Sequence, residues 1–211
     1  MRLRYALLTT LALFAGAQAR AHPVPFKGSR SVMTWNQPHF NETMFAYSFD
    51  RRMALATQYM RMDMRDGEMK AVIPQLNVLA KRWNELDSQA NIYFVGGGGT
   101  YEFDDRVKTA ALAGMEADFE TRKVYVSAKL TGLWPSFDEN TYVQTYRAGV
   151  APYEAEYDEV AAWLILDVQH INRREREVTV TPVLRAFYRN VLGEIGASFT
   201  GDFMLNFMVH L

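Results

Sequence analysis

Charged residues recur at alternate positions of otherwise apolar runs, where an extended chain would turn them all to one side. Glu116, Asp118, Asp167 and Glu194 are acidic, and Lys129, Arg147 and Arg185 are basic. Two roles follow from such a lumen-lining set. Paired, the charges form a structural network that fills a narrow interior, because an unpaired charge is costly where water is scarce. Hydrated, they line a path that selects solutes by charge. A second set is soft. Met60, Met62 and Met64 alternate along one segment, so a strand would put three thioethers on one face. Thioethers suit Cu(I). His22 adds an imidazole, and also an amine if the chain is cut just before it, with His39 as a further candidate. The plainer alternative is methionine as a flexible filler of the wall or rim.

Covalent catalysis needs a nucleophile with a base in reach. The sequence has 4 histidines, His22, His39, His170 and His210, and no cysteine. Ser198 is the plausible serine nearest to His170, but it lies two segments on with the opposite orientation. No Gly-x-Ser-x-Gly elbow occurs. The lack of cysteine removes a thiol nucleophile, a thiolate zinc site and a disulfide scaffold. Gly96-Gly97-Gly98-Gly99 leads into no helix and no Lys-Ser/Thr, so it is not a phosphate loop. It suits relief of crowding or curvature at the end of a strand. The reading is a protein that is not an enzyme and needs no cofactor.

The elements that position these residues are read from composition and period. The 211 residues suit one domain or two small ones. Lys+Arg 23 against Asp+Glu 24 gives a net charge of −1, without the basic excess of a nucleic-acid binder. A hydrophobic share of 49% with 22% charged residues excludes a mainly disordered chain. Met1-Arg2-Leu3-Arg4 is a basic start, Tyr5 to Ala17 is apolar and uncharged, and Ala19-Arg20-Ala21 is a small-x-small site. That is the anatomy of a secretory signal peptide. The apolar run is short for a helical span of about 20 residues. The expected division is residues 1–21 as signal peptide and 22–211 as one domain, with Ala17-Gln18-Ala19 as an alternative cut. Removal takes Arg2, Arg4 and Arg20 and leaves the chain more acidic.

Beyond the leader, alternation dominates. Phe203, Leu205, Phe207, Val209 and Leu211 oppose Asp202, Met204, Asn206, Met208 and His210 up to the last residue. Val124, Val126, Ala128, Leu130 and Trp134 oppose Ser127, Lys129 and Thr131. Further runs surround residues 45, 92, 115, 146, 184 and 195. Asp66-Gly67 and Thr200-Gly201 suit tight hairpins. Longer polar connections are expected over 99–106, 135–140 and 172–177. The count is twelve strands, or ten if the N-terminal segment is unpaired. They are expected at 29–36, 40–49, 53–64, 69–81, 89–98, 107–119, 123–133, 141–151, 159–170, 177–188, 191–199 and 203–211. Pro74 and Pro182 fall inside proposed strands, where bulges or local edges are expected. Nearly every strand has an apolar face and no helix exists to cover the sheet. A closed antiparallel up-and-down transmembrane β-barrel resolves this, with its apolar face to lipid and its polar face inward. Closure also satisfies every backbone hydrogen bond, which lipid demands. Phe49, Phe119, Trp134, Tyr142 and Tyr188 near strand ends suit interfacial girdles.

These features resemble the small bacterial outer-membrane β-barrels: a leader, no cysteine, amphipathic strands and an alternating apolar terminal strand. The resemblance covers the whole chain as architecture and names no activity. It implies residence in the outer membrane, lipid as a partner, and a terminal strand read by the barrel-assembly machinery. In that class the strand usually ends in an aromatic; here it ends in Leu211. The near-neutral charge points to no nucleic-acid partner, and the oligomeric state is left open. The function expected is a small channel or a structural envelope protein with a charged lumen. The alternatives are a copper-handling envelope protein using the methionines and His22, and a soluble periplasmic barrel that binds lipid.

Overall fold

The computed structural model describes residues 22–156 and 158–211; the leader expected at 1–21 lies outside the described residues. Twelve strands follow in order: β1 (Arg30–Gln37), β2 (Phe40–Tyr47), β3 (Met53–Met64), β4 (Gly67–Asn84), β5 (Ser88–Phe103), β6 (Arg106–Thr121), β7 (Val124–Pro135), β8 (Thr141–Val150), β9 (Ala161–Ile171), β10 (Val178–Tyr188), β11 (Val191–Ala197) and β12 (Phe203–His210). Each pairs antiparallel with its sequence neighbours, and β1 pairs with β12 to close the barrel. Closure rests on Val32↔Val209, Met33↔Met208 and Thr34↔Phe207. This pairing decides twelve strands over ten, since β1 is laddered on both sides.

The alternation becomes two environments. Phe45, Leu55, Val72, Phe94, Leu164, Leu184, Ile195 and Leu205 are exposed on the outer surface. Their sequence neighbours turn inward and are buried, as at Met44, Ala54, Ile73, Tyr93, Ile165, Val183, Glu194 and Met204. Aromatics stand at both rims. Phe49, Phe119 and Tyr188 lie toward the mouth that carries the termini, and Trp134 and Tyr142 lie toward the far mouth. The last two meet edge to face with centroids 6.0 Å apart.

Three local expectations are corrected. The stretch 99–106 is not a long polar connection. β5 continues to Phe103 and a two-residue turn, Asp104-Asp105, leads into β6. Both aspartates have positive φ, 52° and 57°. That is the backbone of a primed hairpin turn, usually supplied by glycine or asparagine, which aspartate also tolerates. Second, Gly96–Gly99 does not end a strand but sits in the middle of β5. Pairing between β4 and β5 is interrupted at Ile73 and Pro74, yet resumes in the same register at Gln75↔Gly97. A Cβ on Gly97 would meet the Gln75 side chain at 2.7 Å, and one on Gly99 would meet Ile73 Cα at 3.0 Å. The glycines let β5 lie close where Pro74 offers no N–H donor. Third, the register shift falls at Leu79/Lys81, not at a proline. It turns Arg82 inward, where its Nε donates to Asn91 Oδ1 at 2.6 Å and its Nη2 to Tyr93 Oη at 2.9 Å. Pro182 pairs with Leu166 on β9 and lies just beyond the last β10–β11 pair, Val183↔Gly196. Its missing donor therefore costs no rung there.

Candidate functional site

β4 runs past the start of β3, because Met53 pairs with Val78. The inner face of this extension is covered by the segment that precedes β1. Val24 is fully buried with Ala54, Leu79 and Tyr93. Asn77 Nδ2 donates to Pro23 O at 3.5 Å, and the His22 ring sits 5.7 Å from Tyr93. Residues 22–24 are thus inside the terminus-bearing mouth.

All of Glu116, Asp118, Lys129, Arg147, Asp167, Arg185 and Glu194 face the interior, but they form more than one group. Glu194 on β11 is the centre of the first. It accepts from Arg185 Nε at 2.6 Å, from Arg147 Nη2 at 2.8 Å and from Asn206 Nδ2 at 2.8 Å. Arg147 Nε also lies 2.9 Å from Asp167 Oδ2. Four charged groups are therefore mutually neutralised where they are most buried, which is the condition for tolerating them there. In the second group Lys129 lies 3.1 Å from Glu42 Oε2 and 5.3 Å from the centre of the Trp35 ring. Gln58 donates to the other Glu42 oxygen. Glu42 was missed in the sequence, although it alternates with Met44 in the same run. Glu116, the cross-strand partner of Lys129, and Asp118 continue the inner face of β6 toward the terminus-bearing mouth.

The methionines divide by position. Met60, Met62 and Met64 share one inner face near the far mouth, packed with Phe40, Met69, Ile73 and Tyr101. Met62 and Met69 are direct cross-strand partners. Met33, Met44 and Met208 form a second row across β2, β1 and β12. His22 is at the opposite end from Met60, Met62 and Met64, so these four are not brought together. His39 is also at the far mouth, near Asp63 and Asp202 at 3.2 and 3.6 Å. Among the described residues no group of three or more His, Asp or Glu is arranged to hold a metal.

The far mouth is covered by two loops. Arg173 lies 2.5 Å from Asp138 Oδ2, to which Tyr101 Oη also donates at 2.5 Å. Burial pushes the Asp138 carboxyl up, but the hydrogen bonds from Arg173, Tyr101 and the Glu139 N–H outweigh it and hold the group below its ordinary range. Arg65 N–H donates to Arg173 O at 2.9 Å, tying the loop to the β3–β4 turn.

Among the described residues, two cavities stand out inside. One of about 210 Å³ opens at the terminus-bearing mouth and reaches down to Glu116 and Arg185. The other, of about 110 Å³, lies deeper, between Trp35, Lys129, Arg147 and Met208. Among the described residues, no serine–histidine pair lines either. His170 faces outward, 3.4 Å from Glu177, while Ser198 donates to Asp202. Ser31 Oγ and His210 Nδ1 are 2.7 Å apart, but both are buried in the wall away from both cavities.

Fold and site together define a closed twelve-stranded antiparallel β-barrel with an apolar coat and a charged, partly filled lumen. No protein-family model matches the chain, and no curated protein sequence matches it. Among solved structures it is similar to a KdgM porin in complex with disordered oligogalacturonate, at 9% identity and a TM-score of 0.47, covering 86% of this chain and 96% of that one. It is similar also to a KdgM porin at 9% identity and a TM-score of 0.45, with the same coverage of 86% and 96%.

Proposed function

We infer that the chain is an outer-membrane β-barrel without enzymatic activity, whose lumen is held shut by its own side chains. It serves as a structural envelope barrel, or as a narrow channel that conducts only when this filling is displaced. The observation that carries the reading is the set of contacts across the lumen, Lys129 to Glu42 and Arg147 to Glu194. Such contacts consume charge that an open selective pore would present to solutes. The outer coat of Phe, Leu, Val and Ile supports lipid as its surroundings, with aromatics at both rims. Phe203, Leu205 and Phe207 form an exposed apolar row on β12, which suits a terminal strand read by the assembly machinery. Recovery in the outer-membrane fraction, with gel mobility that changes on heating, is expected. Recovery from the soluble periplasm would overturn the assignment. In planar bilayers the protein is expected to show no steady conductance; a persistent open state would overturn the closed lumen.

A further inference from the structure

The cavity at the terminus-bearing mouth has an acidic wall and an aromatic one. β6 sends Glu116, Asp118 and Glu120 inward in succession toward the mouth. Tyr125 stands beside them on β7, as the cross-strand partner of Glu120, and Trp163 on β9 and Phe187 on β10 stand further round the wall. Tyr125 and Trp163 meet edge to face, with centroids 6.4 Å apart. Six carboxylate residues line the cavity against three arginines. One of these, Arg185, is committed to Glu194 at 2.6 Å and stacks on Tyr125 at 4.5 Å.

Among the described residues, two of the carboxylates, Glu116 and Asp118, have no Lys or Arg partner within 4.0 Å. Glu42, Asp167 and Glu194 each have a cationic partner within 3.1 Å. Glu116 borders both cavities and sits opposite Lys129 on β7, yet among the described residues no hydrogen bond or ion pair reaches it, since the Lys129 ammonium turns to Glu42. Asp118 accepts one hydrogen bond, from Asn91 Nδ2 to its Oδ1 at 2.7 Å. Its Oδ2 is buried without a hydrogen-bond partner, with the His22 ring nitrogen 3.8 Å away, and the side chain is only 2% exposed. An unsatisfied buried carboxylate oxygen is an expensive feature to retain. It is relieved by a donor placed in the cavity that the carboxylate borders.

We propose that this cavity binds a small organic cation, an alkylammonium ion. The ammonium donates to Glu116 and Asp118, and the alkyl part lies against Trp163 and Phe187. Carboxylates supply charge-assisted hydrogen bonds. Aromatic faces attract a cation that is partly stripped of water. A metal ion, which keeps its hydration shell and has no alkyl part, would leave the rings largely unused. The cavity volume restricts the ligand to a few heavy atoms beyond the charged group. The inference depends on the interior alone and stands whichever membrane, if any, holds the barrel.

The test uses the purified protein in maltoside micelles, with butylammonium as the probe. Sodium chloride at matched ionic strength and glutamate are the controls. Saturable binding by calorimetry is expected for butylammonium and for neither control. It is expected to change tryptophan fluorescence, and Trp163→Phe should abolish that change. Glu116→Gln should weaken binding at least tenfold while strand circular dichroism and heat-dependent mobility stay unchanged. Trp163→Leu, at the mouth, gives a second measurement should Glu116→Gln fail to fold, and it too should weaken binding. Butylammonium binding no better than sodium, or an affinity untouched by both substitutions, would overturn the proposal.

Discussion

Lys129 Nζ lies 3.1 Å from Glu42 Oε2, although four strands separate β7 from β2 along the shorter way round the barrel. The pair therefore spans nearly the full width of the lumen. The long lysine stem carries the ammonium into the lumen, where it meets Glu42 and also lies 5.3 Å from the centre of the Trp35 ring. Removing the ammonium leaves Glu42, which is 4% exposed, with Gln58 as its remaining partner. The Lys129 side chain is 35% exposed and lines the deeper cavity, so the loss is smaller than for a fully buried pair. Lys129→Met is expected to destabilise the barrel by about 1–3 kcal/mol. Adding Glu42→Gln should recover most of this, because the stranded charge goes too. Urea unfolding of the single and double variants in lipid vesicles measures the coupling. Strict additivity would remove the brace from the account.

Glu194 holds two arginines at once, so its loss should be the most damaging in the lumen. Glu194→Ala leaves Arg147 with Asp167 and leaves Arg185 with only the Tyr125 ring. A cost of about 3–5 kcal/mol is expected for breaking a buried pair from one side. Asp167→Asn should cost clearly less, since Arg147 keeps its Glu194 contact. Chemical unfolding midpoints that reverse this order would show that Glu194 is not the hub.

How much of this was legible in the sequence depended on period. The side-chain period of a strand is two, so parity alone sorted Arg147, Arg185 and Glu194 to the inside and Phe203, Leu205 and Phe207 to the outside. Parity cannot say which inward residues meet, because that depends on strands distant in sequence. Lys129 and Glu42 are 87 residues apart, and no local pattern joins them. The same gap explains the methionines and His22: they share the lumen but lie at opposite ends. Turn chemistry failed at Asp104-Asp105, where two aspartates adopt a backbone for which glycine or asparagine is the usual signal. Proline signals misplaced the irregularity, because the Gly96–Gly99 run absorbs Pro74 without a register shift.

With the lumen closed as proposed, two barriers stand in series. One is the charged brace, and the other is the apolar layer in which Met62 and Met69 lie side by side on β3 and β4 with Phe40 and Tyr101. Apolar constrictions block ions by excluding water. Lys129→Met alone is therefore expected to conduct no ions in planar bilayers. Met62→Ser with Met69→Ser should not conduct alone either. Combining all three substitutions should produce discrete openings. Full conductance from the lysine substitution alone would mean that the methionine layer is no barrier.

The far-mouth loops should loosen in acid, and Asp138 fixes the direction. Its carboxyl is lowered from the usual value of 3.8 when folded, burial being outweighed by hydrogen bonds from Arg173, Tyr101 and the Glu139 N–H. A group whose folded value is depressed contributes stability that is complete above its unfolded value. That stability is lost as pH falls through the lower folded value. The contact between loops 136–140 and 172–177 should thus persist from neutrality to about pH 4 and weaken below it. Arg173 stays charged throughout, so its other anchor, the Glu139 carbonyl at 3.2 Å, persists. Only part of the closure is lost for that reason. Amide exchange in the two loops should accelerate below about pH 4, after correction for intrinsic rates. Asp138→Asn should raise exchange at neutral pH and flatten this dependence. An unchanged acid response in that variant would assign the loosening to another carboxylate.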